Sequence, residues 1–205
     1  TCVNGTCEEE TTTPSGSNGG SSSENRPIIY DISPSVGAIS EVITIKGAGF
    51  GSLTGKVELK NPETGDIAIG SLEFPRQCGN DFWDDNQILI RVPETYLGDD
   101  GDEQPIEIAS HELTIIAKDG RASESIPFVV RTGEAGPGIC TIIEDTAEIG
   151  DEIEIVGLNF GSAPGEVVFH NAISIESTNT DWAATVINAV VPEGATSGDL
   201  FIETP

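Results

Sequence analysis

The chain has 205 residues, 35 acidic against 9 basic, for a formal net charge of −26; that field repels phosphate backbones and anionic bilayers, which excludes nucleic acid as a partner. Hydrophobic residues make up 37% and charged residues 21%, with 24 Gly, 12 Pro and no Met, a balance that fits a turn-rich all-β chain of two domains rather than a helical one. No apolar run approaches the roughly 20 residues of a membrane-spanning helix, so direct membrane insertion is not expected, and with no apolar leader after Thr1 the chain reads as processed or excised.

At the start, Cys2 and Cys7 bracket CVNGTC, where Asn4-Gly5 favours a tight turn and a small disulfide loop. That choice leaves Cys78 with Cys140, one of the three pairings that four cysteines permit. Disulfides imply an oxidising compartment, hence an extracellular or cell-surface place. Asn4-Gly5-Thr6 is also a glycosylation sequon, of a kind that arises readily by chance. Residues 8–26 hold almost nothing apolar and cannot offset the entropy of ordering, so 1–26 is expected as a flexible Ser/Thr/Gly/Glu-rich stalk.

From Pro27 the apolar residues alternate, as at Ile43 and Ile45, Val57 and Leu59, Ile88 and Ile90, Leu113 and Ile115, and Phe128 and Val130. Period two marks strands with one face buried, and the Gly-, Asn- and Asp-rich stretches between them mark reversals. Residues 27–61 align without gaps on 137–171 at an offset of 110, pairing Gly47 with Gly157, Phe50 with Phe160 and Gly51 with Gly161. A second block at an offset of 99 pairs Trp83 with Trp182 and Val92 with Val191; a third at 87 pairs Leu113 with Leu200. The first copy thus carries two insertions, one before Trp83 and one within the acidic stretch that follows Pro93.

PIIYDISPSVGAISEVITIKGAGFG with WDDNQILIRVP, and more loosely PGICTIIEDTAEIGDEIEIVGLNFG with DWAATVINAVVP, resemble the IPT/TIG domain pattern. Glu144 departs from it where an opening Pro is expected. The resemblance implies two tandem immunoglobulin-like Greek-key β-sandwiches of a bacterial-type cell-surface protein: domain 1 over 27–132, a linker at 133–136, and domain 2 over 137–205. The first copy continues through KDGRASESIPFVVRT whereas the second stops at GDLFIETP, so domain 2 is expected to lack its last strand, through truncation or because another subunit donates it.

The residues have readable structural roles. Gly47, Gly51, Gly157 and Gly161 allow backbone angles or close approaches that a side chain forbids, Phe50 and Phe160 plug a sandwich end, and Trp83 and Trp182 pack at the core. Asp99, Asp100, Asp102 and Glu103, with Asp81, Asp84 and Asp85, offer hard oxygens of the kind Ca²⁺ takes, though not in EF-hand spacing; a solvated acidic loop is the plainer reading. His111 and His170 stand in no metal spacing and are expected on strand surfaces, and no nucleophile elbow or phosphate loop is present, so no enzyme and no required cofactor are expected. A Cys78–Cys140 bridge would fix the angle between the sandwiches. The expected function is therefore a rigid, non-catalytic repeat unit of a surface appendage or filament, its partners neighbouring copies or other surface proteins. The alternative is adhesion to a protein or glycan through the acidic loops, with calcium.

Overall fold

The computed structural model describes residues 26–144, 146–174 and 181–205. The Cys2–Cys7 loop, the Asn4 sequon and the stalk up to residue 25 lie outside them. The first half holds β1 (Ile28–Ser33), β2 (Val36–Ala38), β3 (Val42–Ala48), β4 (Lys56–Lys60), β5 (Ile67–Ile69), β6 (Gln87–Arg91), β7 (Thr95–Leu97), β8 (Glu103–Pro105), β9 (Ser110–Ile116) and β10 (Ile126–Arg131). One sheet runs β1-β3-β6 and the facing one β2-β10-β9-β4-β5, with β7 and β8 as a separate hairpin. Their inward residues, among them Ile43, Ile45, Leu59, Ile90, Leu113 and Phe128, close one apolar core between the layers. The fold is thus an immunoglobulin-like β-sandwich.

The second half holds β11 (Gly138–Ile142), β12 (Glu152–Leu158), β13 (Glu166–Phe169), β14 (Ala172–Ser174), β15 (Asp181–Trp182), β16 (Val186–Val190) and β17 (Phe201–Glu203), in sheets β11-β12-β16-β15 and β14-β13-β17. A second core forms here around Ile153, Ile155, Phe160, Val167 and Ile187. The register of the first half returns residue for residue. Ile29 opposes Gly47 and, past a bulge, Asp31 opposes Lys46; Ile139 opposes Gly157 and, past the same bulge, Thr141 opposes Val156. Likewise Val57 pairs with Ile115, and Val167 with Ile202.

Each glycine-phenylalanine turn works by close approach. A Cβ at Gly47 would collide with the Ile28 carbonyl and the Phe50 ring, and one at Gly157 with the Gly138 carbonyl and the Phe160 ring. Both rings are fully buried. Gly51 and Gly161 follow at φ 82° and 74°, the left-handed region that favours glycine. The Trp83 indole donates to the Gly51 carbonyl at 3.1 Å and Trp182 to the Phe160 carbonyl at 3.0 Å, tying each turn to the strand hairpin facing it.

His111 differs from its expected place on a strand surface. It is buried because β9 alternates, which puts His111 on the same face as Leu113 and Ile115, and its Nδ1 lies 3.2 Å from the Ala109 carbonyl. His170 is exposed.

Gly47→Ala and Gly157→Ala are each expected to lower stability by about 1–3 kcal/mol, the range for overpacking a closed core. Urea unfolding followed by tryptophan fluorescence measures this; unchanged midpoints would mean that the rings do not occupy the space the glycines leave.

Candidate functional site

The functional feature best built by this chain is the junction between its two lobes. Cys78, in the 3-10 turn Arg76–Cys78, forms a disulfide with Cys140 on β11, their Cα atoms 5.4 Å apart. Around the bridge lies an apolar cluster of Val42, Phe82 and Leu89 from the first lobe with Val156 from the second, flanked by Leu72, Phe74 and Leu158. Phe74 and Phe82 stack with ring centroids 4.2 Å apart. The backbone of β11 comes so near that a Cβ on Gly138 would overlap the Val42 side chain.

The connection between the lobes is held as well. Arg131 Nη1 donates to the carbonyls of Thr132 and Glu134 at 3.2 and 3.3 Å, and its Nη2 pairs with the largely buried Glu41 carboxylate at 2.8 Å. Asn159 Nδ2 donates to the Gly136 carbonyl at 3.2 Å, fastening the segment to the second lobe. Lys46 and Asp199 add a solvent-exposed ion pair across the gap at 3.6 Å, worth little by itself.

The Cys78–Cys140 bridge is the one expected from the sequence, but the apolar residues packed around it escaped that reading. Phe74, Cys78 and Phe82 belong to the stretch between Asn61 and Trp83, which is eleven residues longer than its counterpart between Asn171 and Trp182. The signal was in the repeat itself, at positions where the copies differ. Tyr30, Lys46 and Ala48 stand where the second copy has Cys140, Val156 and Leu158. Tyr30 is 68% exposed, whereas Val156 is fully buried although it faces away from its own core.

The acidic candidates are arranged differently. Asp99, Asp100, Asp102 and Glu103 are exposed at and beside the tip of the β7–β8 hairpin, where the Asp100 carboxylate caps the Asp102 amide at 3.2 Å. Asp84 accepts the amides of Asn86 and Gln87, and Asp85 accepts that of Gly51 at 2.9 Å, so both serve turns. Among the described residues no three Asp, Glu, His or Cys side chains stand together as a metal site. Tyr96 on β7 has its phenol pushed above the usual tyrosine range, first by partial desolvation and then by a hydrogen bond to Asp66 and the acidic groups around it.

A family model for the IPT/TIG domain matches residues 27–134. A cyclomaltodextrin glucanotransferase of Geobacillus stearothermophilus is 23% identical over 184 residues, 89% of this chain but 22% of that protein. Among solved structures, a gamma-CGTase from alkalophilic Bacillus clarkii is 17% identical with a TM-score of 0.39, over 88% of this chain and 25% of that one. A surface glycan-binding protein from Prevotella bryantii is 17% identical with a TM-score of 0.31, over 86% of this chain and 39% of that one. No helix among the described residues is long and apolar enough to cross a membrane.

Phe82→Ala removes one half of the ring stack and opens the cluster, and is expected to cost about 3 kcal/mol. Chemical denaturation measures the loss; a change below about 1 kcal/mol would mean that the cluster is not packed as a core.

Proposed function

The chain belongs to the IPT/TIG domain family, and on that premise we propose that residues 137–205 are part of a second member and that the two together serve as a rigid, non-catalytic arm of an extracellular or cell-surface protein. The observation that carries this reading is the junction: one covalent bridge, one apolar cluster and a connecting segment hydrogen-bonded at both ends. A flexible tether would leave the lobes to diffuse about each other, whereas a cross-link with packed surroundings removes that freedom. The bridge also requires an oxidising compartment, which favours export. A stiff unit of this kind suits a surface appendage or filament, where neighbouring copies or other surface proteins are its partners.

Residual dipolar couplings test rigidity directly. Couplings from 27–132 and 137–205 are expected to fit one alignment tensor in the oxidised protein and to need two after Cys78→Ser/Cys140→Ser replacement. Two independent tensors in the oxidised protein would sink the arm reading.

A second reading is favoured by the match of 89% of the chain to part of a glucanotransferase. It makes the module a contact for glucan, with the exposed hairpin at Thr95–Pro105 as the surface. Titration with maltodextrin is expected to shift hairpin amides if it is right; unshifted spectra at millimolar sugar would remove glucan contact through that hairpin.

A further inference from the structure

The Cys78–Cys140 bridge is also a shortcut along the chain. It joins residues whose sequence separation is 62, across 5.4 Å between their Cα atoms. The segment it closes holds β6 to β10 and the connection into the second lobe, whereas β1 to β5 precede Cys78 and stay outside the loop. The first core is thus shared between two parts of the chain. Ile43, Ile45 and Leu59 come from the open part, and Ile90, Leu113 and Phe128 from the looped one.

The ends of the strands give this shortcut a direction. β1 enters at the end of the sandwich sealed by Phe50, where Ile28 opposes Ala48. Cys78 lies in the cluster of Val42 and Leu89, towards the other end, where Val42 opposes Arg91. A pull that enters at β1 and leaves through Cys78 therefore runs along the strands. It loads the β1–β3 ladder in shear, and after it the parallel pairing of Val36–Ala38 with Val129–Arg131. In shear the hydrogen bonds of a ladder resist together, whereas unzipping breaks them one at a time. We propose that the bridge makes the first lobe a strain limiter. When the arm is stretched, load crosses between the lobes through the disulfide, β1 to β5 are drawn out, and β6 to β10 stay behind as a closed loop beside the second lobe. About half of the first lobe's length is released, and the retained loop is the template on which β1 to β5 reform. The path holds wherever load is applied before Cys78 and after Cys140; the arm reading enters only as the source of the load.

Single-molecule force spectroscopy on the whole chain, with handles at its two ends, reads this device. The oxidised protein is expected to give a first-lobe step about 22 nm shorter in contour length than Cys78→Ser/Cys140→Ser, the length of 62 residues at ~3.6 Å each. A second measurement needs no variant that folds: a phosphine reductant is added to the oxidised chain held extended at constant force. One further extension of about 22 nm is expected as the loop opens. On relaxation the oxidised first lobe should recover about threefold faster than that of the double variant, the factor for halving the length of chain to be closed. Equal steps in the two proteins, no extension on adding reductant, or equal recovery would overturn the proposal. One alignment tensor at rest with equal steps under load would leave the arm and remove the limiter; two tensors with the shortened step would do the reverse.

Discussion

The ring of Phe50 laid over Gly47, repeated as Phe160 over Gly157, is the contact on which each sandwich depends. β3 and β12 are central strands of their sheets, and each glycine sits near the end of one of them, where the chain must turn towards the opposite layer. Because no Cβ stands there, the following phenyl folds back and seals the end of the core. The seal is fastened by tryptophan: the Trp83 and Trp182 indoles donate to carbonyls of the turn, while the amides of Phe50 and Phe160 donate to Asp85 and Ala184. A polar edge and an apolar ring thus fix the same turn, one by direction and the other by burial.

With the inward face committed to this scaffold in both halves, the outward face is free to differ, and that is where the junction is built. The bulge on β1 carries exposed Tyr30; the equivalent bulge on β11 carries Cys140. Lys46 meets solvent at a register position where Val156 meets Phe82 and Leu89. The longer segment before Trp83 in the first half supplies Phe74, Cys78 and Phe82, so the insertion and the outward substitutions are two sides of one contact. Disulfide and cluster also reinforce each other. The bridge holds the apolar surfaces at high effective concentration, and their packing leaves the bridge little room to swivel.

The sandwich was readable from sequence because its causes are local and periodic: alternation at Ile43, Ile45, Leu113 and Ile115, and a glycine-phenylalanine turn occurring twice. Of the junction only the Cys78–Cys140 bridge was; the apolar contact around it was not, because burial of an outward residue depends on a partner far away in the chain. Identities between the copies revealed the repeat, but only their differences, such as Lys46 against Val156, mark the contact. The carboxylates show a similar limit. Asp84 and Asp99 look equally available to a cation in the sequence, yet the first is spent on turn amides and the second stands in solvent. His111 was misplaced because strand parity, not polarity, decides which way its side chain faces.

The two lobes share the same seal, and the junction that joins them has a second role. The strands that the junction grips from outside are β11 and β12, neighbours in the sheet that carries most of the second core. Packing Val156 and Leu158 against the first lobe therefore covers the outer face of the sheet whose inner face carries Ile153, Ile155 and Ile187. The central strand of the second sandwich is thus packed on both faces, and the contact that sets the angle between the lobes also backs the second core.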